Sequence, residues 1–278
     1  MTTVSAPASI ANLGPGFDLL AVAVSLRLEV EVEPSDRWMI TSDGRPVGEE
    51  TASVVREISG DDPRNVFIRS RIPVGKGLGS SAALRVAIAA AIASGEGSLD
   101  PGEVLRAATA AEGHPDNAAA AVFGGLVAVL GGGTILRLGV HPSLRLIVGV
   151  PDATMPTREA RKAVPGSVTR SVAVRTAGRV AALIEGLRTA DPHAFAAAAG
   201  DEMHEAPRGD LSPVTGRMVE AAGAAGALHA AWSGAGPSSV ALATDSTVDA
   251  VAGALADVLG DEGHVLRLDV DRKGLEVA

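Results

Sequence analysis

Apolar and polar residues alternate from Leu26 to Val32, in the run L-R-L-E-V-E-V. A period of two marks a half-buried strand, with Arg27, Glu29 and Glu31 on its wet face. Val4 to Ser9 is a short extended piece ahead of it, and Trp38 to Ser42 reads as its hairpin partner. Thr51 to Ile58 forms a weak helical pattern. Asn65 to Ile72 alternates again and delivers the chain into Ile72–Ala83, I-P-V-G-K-G-L-G-S-S-A-A. The Ala, Val and Ile run beyond it is helical, from about Ser80 to Ser94. Asp100-Pro101 is a helix start, with Asp as N-cap and Pro at the first helical position, and that helix runs to about Gly113. Gly125 to Leu130 and Thr134 to Leu138 pair around three glycines.

The second half follows a different order. Leu144 to Val150 is an apolar strand. Helices follow over Arg170 to Leu187, from Asp191-Pro192 to about His204, and from Ser212-Pro213 to about Ala225. Strands at Leu228–Trp232 and Val240–Ala243, a helix at Thr247–Leu259 and a strand at His264–Val270 complete the chain. The expectation is an α+β fold in two domains, 1–140 and 141–278, the second a sheet with helices on one face.

The glycine stretch carries the first chemistry. Glycines at 75, 77 and 79 allow positive φ and leave no Cβ between a ligand and the backbone amides. Ser80 and Ser81 at the helix start can cap its free N–H groups. Those groups and the helix dipole attract an anion, most often phosphate. The pattern is neither G-x-x-x-x-G-K-[ST], because Lys76 precedes the last glycines, nor the dinucleotide G-x-G-x-x-G.

Other candidate residues have bland explanations on their own. Asn12 and Asp18 flank N-L-G-P-G-F-D, where both can serve as turn residues. Glu112 sits at a helix C-terminus, against the dipole preference by a few tenths to ~1 kcal/mol, which suits either a bound cation or a solvated surface carboxylate. In E-G-H-P-D-N, capping by Asp116 or Asn117 accounts for one polar side chain but not for all. Surface helix charge explains the run Thr157-Arg158-Glu159-Ala160-Arg161, the usual fate of such a run, and Arg208 lies in a polar loop.

Composition narrows the field. The chain has 278 residues and a net charge of −9 with no basic run, which disfavours nucleic acid and anionic membrane partners. Cysteine is absent, so disulfides and thiolate metal sites are ruled out. No signal-peptide pattern and no membrane-length apolar run is seen, so a soluble, cytoplasmic protein is the expectation. Aromatic residues make up only 2%, so the core is aliphatic and adenine stacking has only Trp38 and Trp232 to draw on.

Three small-residue loops, at 12–18, 75–81 and 233–239, now stand in one chain. In that order they resemble the three motifs of the galactokinase, homoserine kinase, mevalonate kinase and phosphomevalonate kinase (GHMP) superfamily. P-V-G-K-G-L-G-S-S-A-A looks like its ATP-binding motif. Within the superfamily the finer likeness is to the homoserine kinases. It rests on S-A-P-A-S-I-A-N-L-G-P-G-F-D, E-G-H-P-D-N, T-R-E-A-R-K-A-V-P, H-E-A-P-R-G-D-L-S-P and W-S-G-A-G-P-S-S. Mevalonate-type kinases lack the two arginine segments.

The resemblance implies a two-domain GHMP kinase fold, ribosomal-S5-like in its N-terminal domain and ferredoxin-like in its C-terminal one. It implies ATP-dependent phosphorylation of L-homoserine, as a homodimer in many members. ATP would lie on Pro73, Gly75, Lys76, Gly77, Leu78, Gly79, Ser80, Ser81, Ala82 and Ala83. Ser81 and Glu112 would bind Mg²⁺. Asn12, Asp18, Asn117, Thr157, Arg161, Arg208 and Gly234 would bind the substrate, with Asn117 or Asp116 facing its hydroxyl. Arginines suit a carboxylate, which they grip bidentately. A sister kinase for another small hydroxy acid and a nucleotide sensor without catalysis remain as alternatives.

Overall fold

The computed structural model describes residues 2–110 and 113–278. The chain opens with β1 (Thr3–Asn12) and β2 (Gly16–Pro34), then β3 (Met39–Ser42), β4 (Arg45–Pro46), α1 (Glu49–Ser59) and β5 (Arg64–Ser70). The glycine stretch leads into α2 (Ser80–Gly95), α3 (Pro101–Thr109), α4 (Asp116–Phe123), β6 (Leu126–Val129) and β7 (Ile135–Leu138). The first sheet has the order β12-β1-β2-β5-β3-β4, where β12 is Glu276–Val277, and β6 joins it through β2 and carries β7.

The expected hairpin between Leu26–Val32 and Trp38–Ser42 does not form. β5 lies between them, antiparallel to β2 and parallel to β3. Val66 and Ile68 of β5 are buried, whereas Met39 is exposed, so the strand that contributes to the core takes the central place. Periodicity identifies a strand, but it does not name the strand's partner.

α2 is buried almost all round, from Ala82 to Ala91. Its alanines present little side chain, so neighbouring elements come close, and it forms the spine of the first domain. Arg85 is the charged residue in this run, and its Nη1 reaches Glu57 Oε2 at 2.7 Å. Asp100 caps α3 through the Glu103 N–H at 2.8 Å, as its sequence signal predicts.

The second sheet follows with β8 (Arg145–Pro151), α5 (Thr157–Lys162), α6 (Arg170–Thr189), α7 (Pro192–Ala198), α8 (Glu205–Arg208), α9 (Pro213–Ala224), β9 (His229–Trp232), β10 (Ser239–Ala243), α10 (Val248–Leu259) and β11 (Gly263–Leu268). Its strands are antiparallel in the order β11-β8-β10-β9, that is fourth, first, third and second in the chain. This is the split β-α-β arrangement of ferredoxin-like domains. α7 ends earlier than expected, because Gly200 takes a φ of 80° just beyond it.

Both faces of this sheet are covered, not one. Ile147, Ala241 and Ala243 pack with Met218 of α9 and with Val251 and Leu255 of α10. On the other face Leu146, Val148, Val150, Val240 and Leu242 join a core that takes in Leu183 of α6, Phe195 of α7, Ile10 of the first sheet and Leu13 just beyond β1. The two layers therefore share one continuous core.

The last residues also depart from the expected 141–278 segment. Leu275 N–H donates to Val122 O, and β12 pairs antiparallel with β1. Arg27 pins this tail through an ion pair with Asp271, a second with Glu276 at 3.1 Å, and a hydrogen bond to Gly274 O at 2.8 Å. Removing one partner of a buried pair costs roughly 3–5 kcal/mol, and less where the pair is partly exposed. Arg27→Ala is thus expected to lower stability by about 2 kcal/mol. Urea denaturation followed by tryptophan fluorescence checks this, and an unchanged midpoint would mean that β12 holds the tail by itself.

Candidate active site

Three loops from distant parts of the chain meet edge to edge. The first joins β1 to β2. Its backbone turns through positive φ at Asn12 (73°), Leu13 (53°) and Asp18 (54°), where non-glycine residues are held by their surroundings. Asn12 supplies that hold: its Oδ1 accepts from the Asp18 N–H at 3.1 Å, and its Nδ2 donates to Gly234 O at 2.8 Å. Gly234 belongs to the third loop, between β9 and β10, and returns a bond from its N–H to Ala11 O at 3.0 Å.

The glycine stretch is the second loop, and it seats against the other two. A Cβ on Gly77 would lie 2.2 Å from Ser233 O, and one on Gly79 would lie 2.2 Å from Ser9 Oγ. Only glycine permits these approaches. Ser233 Oγ donates to Gly77 O at 2.8 Å, and Ser9 N–H donates to Leu78 O at 3.2 Å. Lys76 Nζ donates to the carbonyls of Asp152 (2.5 Å) and Ala153 (2.7 Å). The Lys76 ammonium is therefore taken up by the second sheet's segment, while its backbone stays with the loop.

Gly79, in the left-handed conformation, is the N-cap of α2, and no side chain caps this helix. Ser80 and Ser81, expected as caps, lie inside the first turn instead. Ala83 N–H is bonded to Gly79 O at 2.9 Å. The first turn ahead of it supplies free amides and the positive end of a long helix dipole, the arrangement that holds phosphate. Ser81 is exposed and its Oγ accepts from Arg85 Nε at 3.4 Å. Pro73 and Gly75 stand at the rim, whereas Leu78, Ala82 and Ala83 are buried beneath as packing.

The central motif lies beside Gly79. Asn117 Oδ1 accepts from Ser9 Oγ at 2.9 Å and would be 3.1 Å from a Cβ on Gly79. Asp116 is buried, and its Oδ1 accepts from Asn117 N–H at 2.7 Å and from Asn117 Nδ2 at 3.2 Å. Glu112 lies outside the described residues.

The arginine segments close the site from the second domain. Arg161 grips Asp18 bidentately, at 2.7 and 3.2 Å. Arg208, expected in a polar loop, ends a short helix and is 1% exposed. Its Nε donates to Ala160 O at 3.0 Å, and its Nη1 to Gly234 O at 3.4 Å and to His204 Nδ1 at 2.9 Å. Phe17 stands between the two cations, 5.8 Å from the Arg161 guanidinium and 5.4 Å from that of Arg208. Thr157 is exposed at the first turn of α5 and makes no side-chain hydrogen bond among the described residues.

Two family models match the chain, the GHMP kinases N-terminal domain over residues 48–125 and the GHMP kinases C-terminal model over residues 183–261. The homoserine kinase of Moorella thermoacetica is 37% identical over 257 residues, covering 87% of each chain. That of Thermus thermophilus is 36% identical and covers 95% of this chain and 94% of its own. The crystal structure of homoserine kinase from Cytophaga hutchinsonii superposes with a TM-score of 0.85 at 29% identity, over 100% of this chain and 97% of that one. The chain belongs to the homoserine kinases of the GHMP kinase family.

Against the family's motifs, the structure brings Asn12, Asp18, Arg161, Arg208 and Gly234 into one connected cluster, with the glycine loop and Asn117 adjoining it. Sequence reasoning passed over the support beneath this cluster. Asp201 Oδ2 accepts from the N–H groups of Met203, His204 and Glu205, and so begins α8. Glu205 Oε1 accepts from Trp232 N–H at 2.7 Å, fastening the third loop. The available signal was the i, i+4 spacing of His204 and Arg208 within H-E-A-P-R.

Burial pushes the Glu205 carboxyl up to about 7, against an opposing pull from the Trp232 amide. The folded chain then binds more protons than the unfolded chain between about pH 4.5 and 7, so this group's contribution to stability is lost as pH rises through that window. Burial holds His204 down at about 4, and its contribution runs the other way, appearing as pH rises from about 4 to 6.5. Glu205→Gln removes the falling slope. Its stability relative to the parent chain is expected to climb from pH 4.5 to 7. Denaturant midpoints across that range measure the difference, and parallel curves would mean that Glu205 is already ionised in the folded state.

Proposed function

We propose that this chain catalyses ATP-dependent phosphorylation of the side-chain hydroxyl of L-homoserine to O-phospho-L-homoserine, a step of threonine biosynthesis, as the names of its relatives suggest. The observation that carries the choice of acceptor is Arg208. It is a buried cation whose hydrogen-bond partners are all neutral: two carbonyls and an imidazole. A buried charge without a hydrogen-bonded counter-charge is costly, and a substrate carboxylate supplies one. Arg161 and Asp18 stand next to it as an ion pair. A zwitterionic amino acid matches that pair, its carboxylate toward the arginines and its ammonium toward Asp18, with Asn12 and Gly234 framing the pocket. Mevalonate or a sugar has no ammonium for Asp18.

On the nucleotide side, the Gly77–Ser81 amides and the α2 dipole would receive the phosphates of ATP. The donor chemistry at the start of α2 fits Mg²⁺, a hard cation that takes oxygen ligands and keeps most of its waters. The Ser81 hydroxyl would provide one such oxygen and the Glu112 carboxylate another. Bound there, Mg²⁺ supplies charge neutralisation across the phosphate oxygens. Asn117, steadied by Ser9, orients the acceptor hydroxyl. Asp116 Oδ1 accepts from the Asn117 N–H and side-chain amide, and in this reading transfer is direct from the hydroxyl, without a dedicated base. A homodimer and a cytoplasmic location belong to the same reading and rest on family resemblance.

A coupled assay with ATP decides the substrate: homoserine is expected to turn over well above mevalonate, galactose or pantoate, and equal rates refute the assignment. Arg161→Ala and Arg208→Ala each remove hydrogen bonds to a charged group, worth roughly 1.5–3 kcal/mol, so homoserine KM should rise about 10- to 100-fold. The KM of ATP should stay within about threefold. Both constants rising together would make the arginines structural. Asp116→Asn is expected to cost under about tenfold in kcat, because losing a general base costs roughly 10²–10⁴.

A further inference from the structure

We propose that His204 is the positioning residue for Arg208: it holds the guanidinium in register and ties it to the first loop. The inference rests on the reading of Arg208 as the carboxylate anchor. His204 is fully buried, and both of its ring nitrogens are engaged. Nε2 lies 2.8 Å from Gly14 O, and Nδ1 lies 2.9 Å from Arg208 Nη1. A carbonyl oxygen only accepts and a guanidinium only donates. The ring must therefore carry its proton on Nε2 and offer the Nδ1 lone pair to Arg208. One neutral tautomer meets both demands. The imidazolium would point an N–H at the guanidinium, and the other neutral tautomer would fail at both ends.

This arrangement restricts the fork of Arg208. Its Nε is placed by Ala160 O, and its Nη1 by His204 and, at longer range, by Gly234 O. Nη2 has no acceptor among the described residues, and this is the donor left for a substrate carboxylate. With Nδ1 removed, the guanidinium keeps Nε and a long 3.4 Å contact, and it can swing about that axis. The same ring also fixes the first loop. Gly14 lies between Asn12 and Asp18, and Phe17 stacks on the imidazole with centroids 4.9 Å apart and planes at 19°. One histidine thus sets the distance between the carboxylate anchor and the loop that carries Asp18. A buried histidine that merely fills the core needs neither a defined tautomer nor a cationic partner.

Two substitutions separate the two bonds. His204→Gln extends an amide to the Nε2 position and can keep the Gly14 bond while losing the acceptor for Arg208. His204→Asn places its Oδ1 near the Nδ1 position and can keep that acceptor while losing Gly14. The expected result for His204→Gln is a rise in homoserine KM of roughly tenfold or more, the weight of one bond to a charged group, with the KM of ATP within about twofold. His204→Asn is expected to recover most of that loss. Equal homoserine KM values in the two variants, or homoserine and ATP constants rising together, would overturn the proposal.

A measurement on the unaltered protein keeps the test open if a variant does not fold. Long-range proton–nitrogen NMR of histidine-labelled chain at pH 7 should show His204 with Nε2 protonated and Nδ1 bare, with Nδ1 shifting on homoserine addition and not on ATP addition. An Nδ1–H tautomer, or an Nδ1 that ignores homoserine, would overturn it. Arg208→Ala distinguishes the two readings. If it leaves homoserine KM unchanged, the carboxylate anchor is wrong and the present inference goes with it. If it raises that KM and His204→Gln does not, only the role of His204 is wrong.

Discussion

The closure of three loops onto one another, across contacts that admit no side chain, is the constraint from which the rest of the site follows. Gly77 and Gly79 lie against Ser233 O and Ser9 Oγ at distances where a Cβ has no room. The loops come from β1–β2, β5–α2 and β9–β10, and their polar groups are satisfied by one another: Asn12 to Gly234, Gly234 to Ala11, Ser233 to Gly77. No loop completes its own hydrogen bonding, so each keeps its shape only while the other two are present. The N-terminal end of α2 is held in place by the second domain as much as by its own helix.

The electrostatics build on this closure. Arg161 and Arg208 approach the same aromatic ring, and burial, followed by the charge of Arg161, brings Arg208 down to about 10. Two guanidinium groups held this closely favour an anion between or beside them. Asp18 answers Arg161, while Arg208 is held by neutral acceptors alone. The carboxylates below, Asp201 and Glu205, accept from backbone N–H groups and shape the loops, and neither is hydrogen-bonded to Arg208. The cluster therefore presents cationic groups at one end and the Asp18 carboxylate at the other.

Legibility in the sequence followed the range of the interactions. Asp100-Pro101 announced α3 because a cap acts within four residues. The 75–81 stretch announced a tight glycine loop feeding a helix because positive φ and a following helix are local properties. The place of β3 was misread because an alternating run says which side faces the core and nothing about the neighbouring strand. His204 went unread because its partner, Gly14, is 190 residues away, and nothing near His204 in the chain marks that contact. The return of residues 269–278 to the first sheet was hidden for the same reason: the partners of Arg27 lie some 244 to 249 positions downstream.

The sequence by itself determined the groups on offer: a glycine-rich loop at a helix start, two arginine segments, and an aliphatic core with no thiol. These follow from residue type and order along the chain, which name the groups without saying which of them meet. The tertiary structure alone decided which of those groups share a pocket. It set Arg161 against Asp18, buried Arg208 among neutral partners, and assigned His204 a tautomer through two bonds to separate segments. Those outcomes depend on distances between segments far apart in the chain, and such distances are settled only when the two sheets close on their common core.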